Sequence, residues 1–201
     1  MRIAVLCSLT SILLPSVSLA QAPAADPVFN VRTAHSSIKF VVKASVAIAG
    51  KFDKWDATLT FQSPEVNTGV LEIKIQADSV DTGSGMKNGK LKSKDFFDVD
   101  NNPSIVFRST KFLQTSHNTI EVDGDFTIRG VTNSEKLTLI VSHKDGHLGE
   151  IEGKMIFDRK NYGMNKGIPF IKIADHVEVS FNLKVKHVSG PQVNLSQYGK
   201  S

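Results

Sequence analysis

The feature that most constrains this chain is a strict alternation of apolar and polar residues. Val177, Val179, Phe181, Leu183 and Val185 are separated one by one by Glu178, Ser180, Asn182 and Lys184. Successive side chains of an extended strand point to opposite faces, so this run has one dry face and one wet face. The same period recurs at Ile38, Phe40 and Val42, at Leu59 and Phe61, and at Leu71, Ile73, Ile75 and Ala77. It recurs again at Ile105 and Phe107, at Ile120 and Val122 with Phe126 and Ile128, and at Leu137, Leu139 and Val141. Half-wet strands belong to antiparallel sheets, because parallel strands are covered on both faces and read as unbroken apolar runs. Asp145-Gly146, Arg129-Gly130 and Ser116-His117-Asn118 supply reversals between alternating runs. Several runs extend to about ten residues or more, which is long for a sandwich strand and suits a tall meander that closes on itself and so loses its edges. The expectation is an all-β fold, a closed antiparallel barrel of about eight strands.

Two segments break the period. Gly83 to Asp98 carries Met86, Leu91, Phe96 and Phe97 among lysines and reads as a short irregular helix followed by an aromatic plug. Arg159 to Pro169 is rich in Gly, Asn and Lys and reads as a long loop. At the ends, Met1-Arg2 followed by the apolar run Ile3 to Leu14, then Ser18 and Ala20, reads as a signal peptide cleaved after Ala20, over residues 1–20. Residues 21–27 read as a flexible lead-in, 28–187 as the barrel and 188–201 as a mobile tail. The expected location is therefore the periplasm. The single cysteine, Cys7, lies in the leader, so the mature chain is expected to have neither thiol chemistry nor disulfides. The net charge of +4 is spread along the strands rather than massed in an arm, which argues against a nucleic-acid partner.

A closed barrel of this size turns one face of every strand into a lumen that side chains fill or one ligand occupies. Small residues at Ala44, Ala47, Ala77 and Gly124 favour a hollow lumen. The histidines His143 and His147 flank the Asp145-Gly146 turn without a third ligand at a usual spacing, and Asp95, Asp98 and Asp100 lack a closing Glu, so neither group is read as a metal site. No cofactor is expected. His35 stands beside Ser36 and Ser37, but adjacent strand positions face opposite ways and no nucleophile elbow occurs. No catalytic constellation is read, and the chain is not expected to be an enzyme.

Several runs in order are similar to one family: His35-Ser36-Ser37-Ile38-Lys39-Phe40, Gly50-Lys51-Phe52, Leu91-Lys92-Ser93-Lys94-Asp95-Phe96-Phe97-Asp98-Val99, Pro103-Ser104-Ile105-Val106-Phe107 and Gly124-Asp125-Phe126-Thr127-Ile128-Arg129-Gly130-Val131-Thr132. From Val28 to His187 the chain resembles the YceI-like family. The resemblance implies a lipocalin-like periplasmic barrel that binds a long isoprenoid or related lipid, a quinone-type chain or a fatty amide. The chain departs from the family pattern at Ala44 and Lys90, where relatives often place His.

Burying twenty carbons is worth about 16 kcal/mol gross, at about 0.8 kcal/mol for each methylene, against about 0–1 kcal/mol for a surface lysine on a head group. The expected ligand contacts are accordingly apolar: Ile38, Phe40, Val42, Ala44, Ile73, Ile75, Phe107, Phe126, Val179, Phe181 and Leu183. Lys87, Lys90 and Lys92 are expected at the mouth, where they would meet a head group. The function expected is a periplasmic carrier of a long-chain lipid, a role compatible with transient membrane contact and with a homodimer. Two rivals are an enzyme acting on such a lipid through His35 with Asp95 or Asp98, and a ligand-free stress-response protein with a filled lumen.

Overall fold

The computed structural model describes residues 26–45, 47–144, 148–167 and 172–195, with backbone alone at 143, 144 and 148. The expected leader, the Asp145-Gly146 turn and its flanking His143 and His147 side chains, and residues 196–201 of the expected tail lie outside that description. In chain order the strands are β1 (Val28–Val31), β2 (Ser37–Ala44), β3 (Ile48–Phe52), β4 (Trp55–Phe61), β5 (Gly69–Gln76) and β6 (Val80–Asp81). The single α-helix among the described residues, α1 (Gly85–Lys92), precedes β7 (Ser104–Gln114), β8 (Thr119–Ile128), β9 (Val131–Lys144), β10 (Leu148–Asp158) and β11 (Ile173–Ser189).

Every pairing among these strands is antiparallel, and the ring β1-β4-β5-β7-β8-β9-β10-β11 returns to β1, so eight strands close the barrel as the alternation predicts. The long strand β11 makes this closure with two partners in succession. Its second half pairs with β1, from Val185 opposite Val31, and its first half with β2, from Asn182 opposite Ser37 to Ile173 opposite Ala44. A 3-10 turn at Thr33–His35 separates β1 from β2 and reverses which residues face inward, odd numbers before it and even numbers after. The ladder is carried across this break by Arg32 N donating to Lys184 O (2.8 Å) and Lys184 N donating to Ser36 Oγ (2.9 Å). Strands β3 and β6 extend the wall outward from β2.

The reversals follow local chemistry. Between β8 and β9, Arg129 and Gly130 both have positive φ (54° and 73°), the two-residue turn whose twist matches that of paired strands. At Ser116–Asn118, Thr115 N donates to Thr119 O. The segment after His187 does not simply trail away. β11 runs on to Ser189, Asn194 N donates to Pro64 O at 2.8 Å, and Val193 and Leu195 pack against the core.

The loop expected from Arg159 is structured at its start. Arg159–Tyr162 form a 3-10 turn capped by the Asp158 carboxylate, which accepts from Lys160 N at 2.8 Å, and Gly163 closes the turn at φ 73°. Arg159, Tyr162 and Met164 are buried. Residues 168 and 169 of that loop lie outside the description.

Candidate functional site

The inward side chains leave two chambers, one beyond the other along the strands. On β11, Val177, Val179 and Phe181 line the first, Leu183 lines neither, and Val185 and His187 line the second. On β8 the same passage runs from Ile128 and Phe126, past Val122, to Ile120. On β5, Ile75 and Ile73 line the first chamber and Leu71 ends it. Leu71, Val122 and Leu183, each no more than 1% exposed, line neither space and stand on their strands at the level where one gives way to the other, a boundary layer.

The near chamber encloses ≈ 970 Å³ of space between its walls, a figure that includes volume open to solvent. All of the predicted lumen residues line it except two: Ile38, Phe40, Val42, Ile73, Ile75, Phe107, Phe126, Val179 and Phe181 do. Leu183 is the layer residue just described. Ala44, half-buried at the end of β2 opposite Ile173, is not part of the lining. Met155 and Phe157 from β10 and Met164 complete the apolar wall, with the flexible thioethers suited to ligands of irregular shape. Phe126, Phe157 and Tyr162 stack edge to face with centroids 5.2–5.7 Å apart.

The small residues taken to favour a hollow lumen are not what makes it hollow. Ala47 is exposed, Ala77 is fully buried in a 3-10 turn, and neither lines a chamber. Gly124 lies under the Phe107 ring, where an added β-carbon would stand 2.4 Å from Cζ. Gly153 lies under Phe181 in the same way, at 2.0 Å. These glycines seat aromatic rings from the neighbouring strand flat against the wall, and the space inside the rings is what remains.

One end of the near chamber is capped by α1 and the turn that follows it. Phe97 N donates to Leu91 O and Asp98 N to Ser93 O, folding Phe96 and Phe97 back beside Leu91, and all three line the chamber. The predicted aromatic plug is thus a wall of the cavity. Lys87, Lys90 and Lys92 sit half-buried on this cap without reaching the lining. Lys90 Nζ is 2.6 Å from Asp95 Oδ2 and 5.7 Å from the Phe96 ring centroid. That ammonium, hydrogen-bonding to the carboxylate, holds Asp95 below the usual carboxylate range.

The polar group that does reach the lining is Arg159, which follows β10 at the end farthest from Leu183. It is only 6% exposed. Its Nε donates to Ala174 O (3.1 Å), its Nη1 to Met164 O and Lys166 O, and its Nη2 lies 3.2 Å from Asp175 Oδ1. Asp175 also receives Lys160 Nζ at 2.8 Å, and that hydrogen bond, more than Arg159 itself, holds its carboxyl below the ordinary value. Arg159 and Lys160 thus share the Asp175 carboxylate. Sequence reasoning missed Arg159 because it stands in a Gly-, Asn- and Lys-rich stretch with no period. Met155 and Phe157 were missed because Met155-Ile156-Phe157 is an unbroken apolar run, Ile156 being exposed on the outer face, so the alternation is hidden there.

The residues of the catalytic rival do not converge. His35 is exposed on the 3-10 turn beside β11, Asp95 is held by Lys90, and Asp98 accepts from Asn101 and Asn102 within its own turn. None of the three lines a chamber.

Residues 29–185 match the family model described as the YceI-like domain. A UPF0312 protein of Shewanella denitrificans is 28% identical over 161 residues, covering 77% of this chain and 82% of the relative. Another, of Pseudomonas aeruginosa, is 28% identical over 151 residues, covering 72% and 78%. Among solved structures, Burkholderia cenocepacia BcnA superposes with a TM-score of 0.71 at 26% identity, over 77% of this chain and 99% of that one. A polyisoprenoid binding domain from Saccharophagus degradans, implicated in plant cell wall breakdown, superposes with a TM-score of 0.62 at 14% identity, over 81% and 99%. At that identity the likeness is one of fold.

Proposed function

The chain belongs to the YceI-like family, and from that premise we propose that it is a binding protein whose near chamber holds a long-chain apolar ligand of the isoprenoid class. The observation that carries the reading is the wall of the chamber, aliphatic and aromatic throughout, with Arg159 the one ionisable group in its described lining. Each isoprene unit buried there is worth about 4 kcal/mol gross, at about 0.8 kcal/mol per carbon, before ordering costs. No single charge at the rim competes with that. The polyisoprenoid-binding structural neighbour supports the ligand class.

Arg159 assigns an orientation. Its charge stands at the outer end of a chamber whose inner end is the Leu71–Val122–Leu183 layer, so the polar head of the ligand faces Arg159 and the tail points at the layer. Binding is preferred to catalysis because the candidate acid–base groups lie outside the chambers. The leader pattern at residues 1–20 motivates the further reading that the protein works as a carrier or reservoir in the periplasm.

Mass spectrometry of organic extracts from protein purified without detergent, together with saturable uptake of a fluorescent polyprenol, tests the binding reading. A co-purifying lipid or saturable uptake is expected; neither one appearing would refute it. Cell fractionation with N-terminal sequencing tests the location, the expected mature start being Gln21.

A further inference from the structure

The second chamber calls for a ligand of its own. It lies on the other side of the Leu71–Val122–Leu183 layer and shares no lining residue with the first. Its wall includes Phe29, Ile120, Leu139, Ile151, Val185 and His187, around ≈ 780 Å³ of empty space that is partly open to solvent. Its outer side is formed by Gln192, Val193 and Leu195, in the segment that Asn194 N ties to Pro64 O at 2.8 Å. A long chain entering from the α1 end meets the layer first, and the C-terminal segment shortens the space from the other side.

One atom in this wall is out of keeping with the rest. His187 pairs with Phe29 across β1 and β11, and the two rings meet edge to face at 5.3 Å. Its Nε2 is shielded from solvent, yet no described residue hydrogen-bonds to it. A buried polar atom without a partner is costly, so its persistence in an apolar chamber asks for one. A hydroxyl fits either tautomer of the imidazole, because it can donate to a bare ring nitrogen or accept from a protonated one.

We infer that the far chamber is a second binding site, separate from the long-chain site, for a small apolar molecule bearing one hydroxyl, which His187 Nε2 receives. The inference does not depend on the isoprenoid reading, since it rests on different residues and a different space.

The full chain is titrated with 4-propylphenol and with 4-propyltoluene, which has the same shape without the hydroxyl, and the methyl resonances are followed by NMR. The phenol should move the Ile120, Leu139 and Ile151 methyls saturably, and do so equally when the near chamber has been loaded with geranylgeraniol. His187→Phe should weaken phenol binding about tenfold and leave the toluene analogue unchanged, the signature of one lost hydrogen bond. His187→Gln, which keeps a hydrogen-bonding group, should bind the phenol better than His187→Phe. Ile151→Trp, which fills the chamber, should abolish far-chamber shifts while polyprenol uptake persists. Equal affinity for the two probes in the unsubstituted protein, no shift of the far-chamber methyls, or displacement of the phenol by geranylgeraniol would each overturn the inference. Loss of polyprenol uptake with intact phenol shifts would defeat the isoprenoid reading alone.

Discussion

Replacing Leu183 by Ala should join the two chambers, and the consequences can be worked from its surroundings. Leu183 is fully buried, and the residues before and after it on the inward face of β11, Phe181 and Val185, belong to different chambers. Leu-to-Ala changes in cores cost about 2–5 kcal/mol, rising with the cavity that cannot collapse. With empty space on both sides the site has little to collapse onto, so we expect a loss of about 3 kcal/mol, or roughly 6–12 °C in Tm for a domain of this size. Binding should move the other way. In the unsubstituted protein, affinity for farnesol, geranylgeraniol and longer polyprenols should climb with length until the chain meets the layer, then level off. Each additional buried methylene is worth about 0.8 kcal/mol, roughly fourfold in affinity, as an upper limit. In Leu183→Ala the levelling point should shift to longer chains by at least one isoprene unit, read by displacement of a fluorescent polyprenol. An unchanged levelling point in a folded variant, or a steady climb in the unsubstituted protein, would refute the argument that this layer is the floor of the ligand chamber.

Gly153→Ala puts a β-carbon 2.0 Å from Phe181 Cζ, so the ring must swing into the near chamber; a loss of about 1–3 kcal/mol in denaturant melts and weaker polyprenol uptake are expected. Arg159→Met strands the carbonyls of Met164, Lys166 and Ala174, and should cost about 3 kcal/mol in the same melts even though the cavity becomes more apolar. Asp175 titrates below its unfolded value of 3.8 because of Lys160 and then Arg159, so its contribution is complete above that pH and is lost as pH falls through the lower folded value. The stability gap between the unsubstituted protein and Asp175→Asn should therefore be open at neutral pH and close in acid; a gap that persists in acid would contradict the assignment. Tyr162, whose hydroxyl donates to Glu135 at 2.8 Å, is pushed well above the usual phenol range by burial first and by Glu135 second. A spectroscopic titration should find its phenolate absent at a pH where ordinary tyrosines have ionised.

Much of this molecule can be read from period-two alternation alone, because in a closed barrel the same face of every strand must be dry. β11, β8, β9 and β5 declare themselves in that way, and their inward residues are the chamber walls. The strand that escapes the pattern is β10. Its inward positions read Gly149, Ile151, Gly153, Met155 and Phe157, and two glycines interrupt the apolar count. They are there because Val185 and Phe181 of β11 occupy the room their side chains would need, which is a fact about the neighbouring strand. β7 hides its second half for a related reason. A bulge between Ser109 and Lys111 moves the inward phase from Phe107 to Phe112, and Ser109 Oγ accepts from Leu71 N at 2.9 Å across the sheet.

Local sequence thus determined which face of each regular strand is apolar, where the tight turns fall and that the sheet is antiparallel, since all three depend on residues a few positions apart. It could not determine that the lumen holds two chambers, because Leu71, Val122 and Leu183 come from three strands and are brought to one level only when the ring has closed. Nor could it place Arg159 in the wall of the near chamber or His187 in that of the far one, since the burial of a charged or polar side chain depends on what distant segments bring to it. The hollow itself is of the same kind: it is the volume left when rings such as Phe107 and Phe181 lie flat over glycines on the next strand, a relation between strands that no single one of them contains.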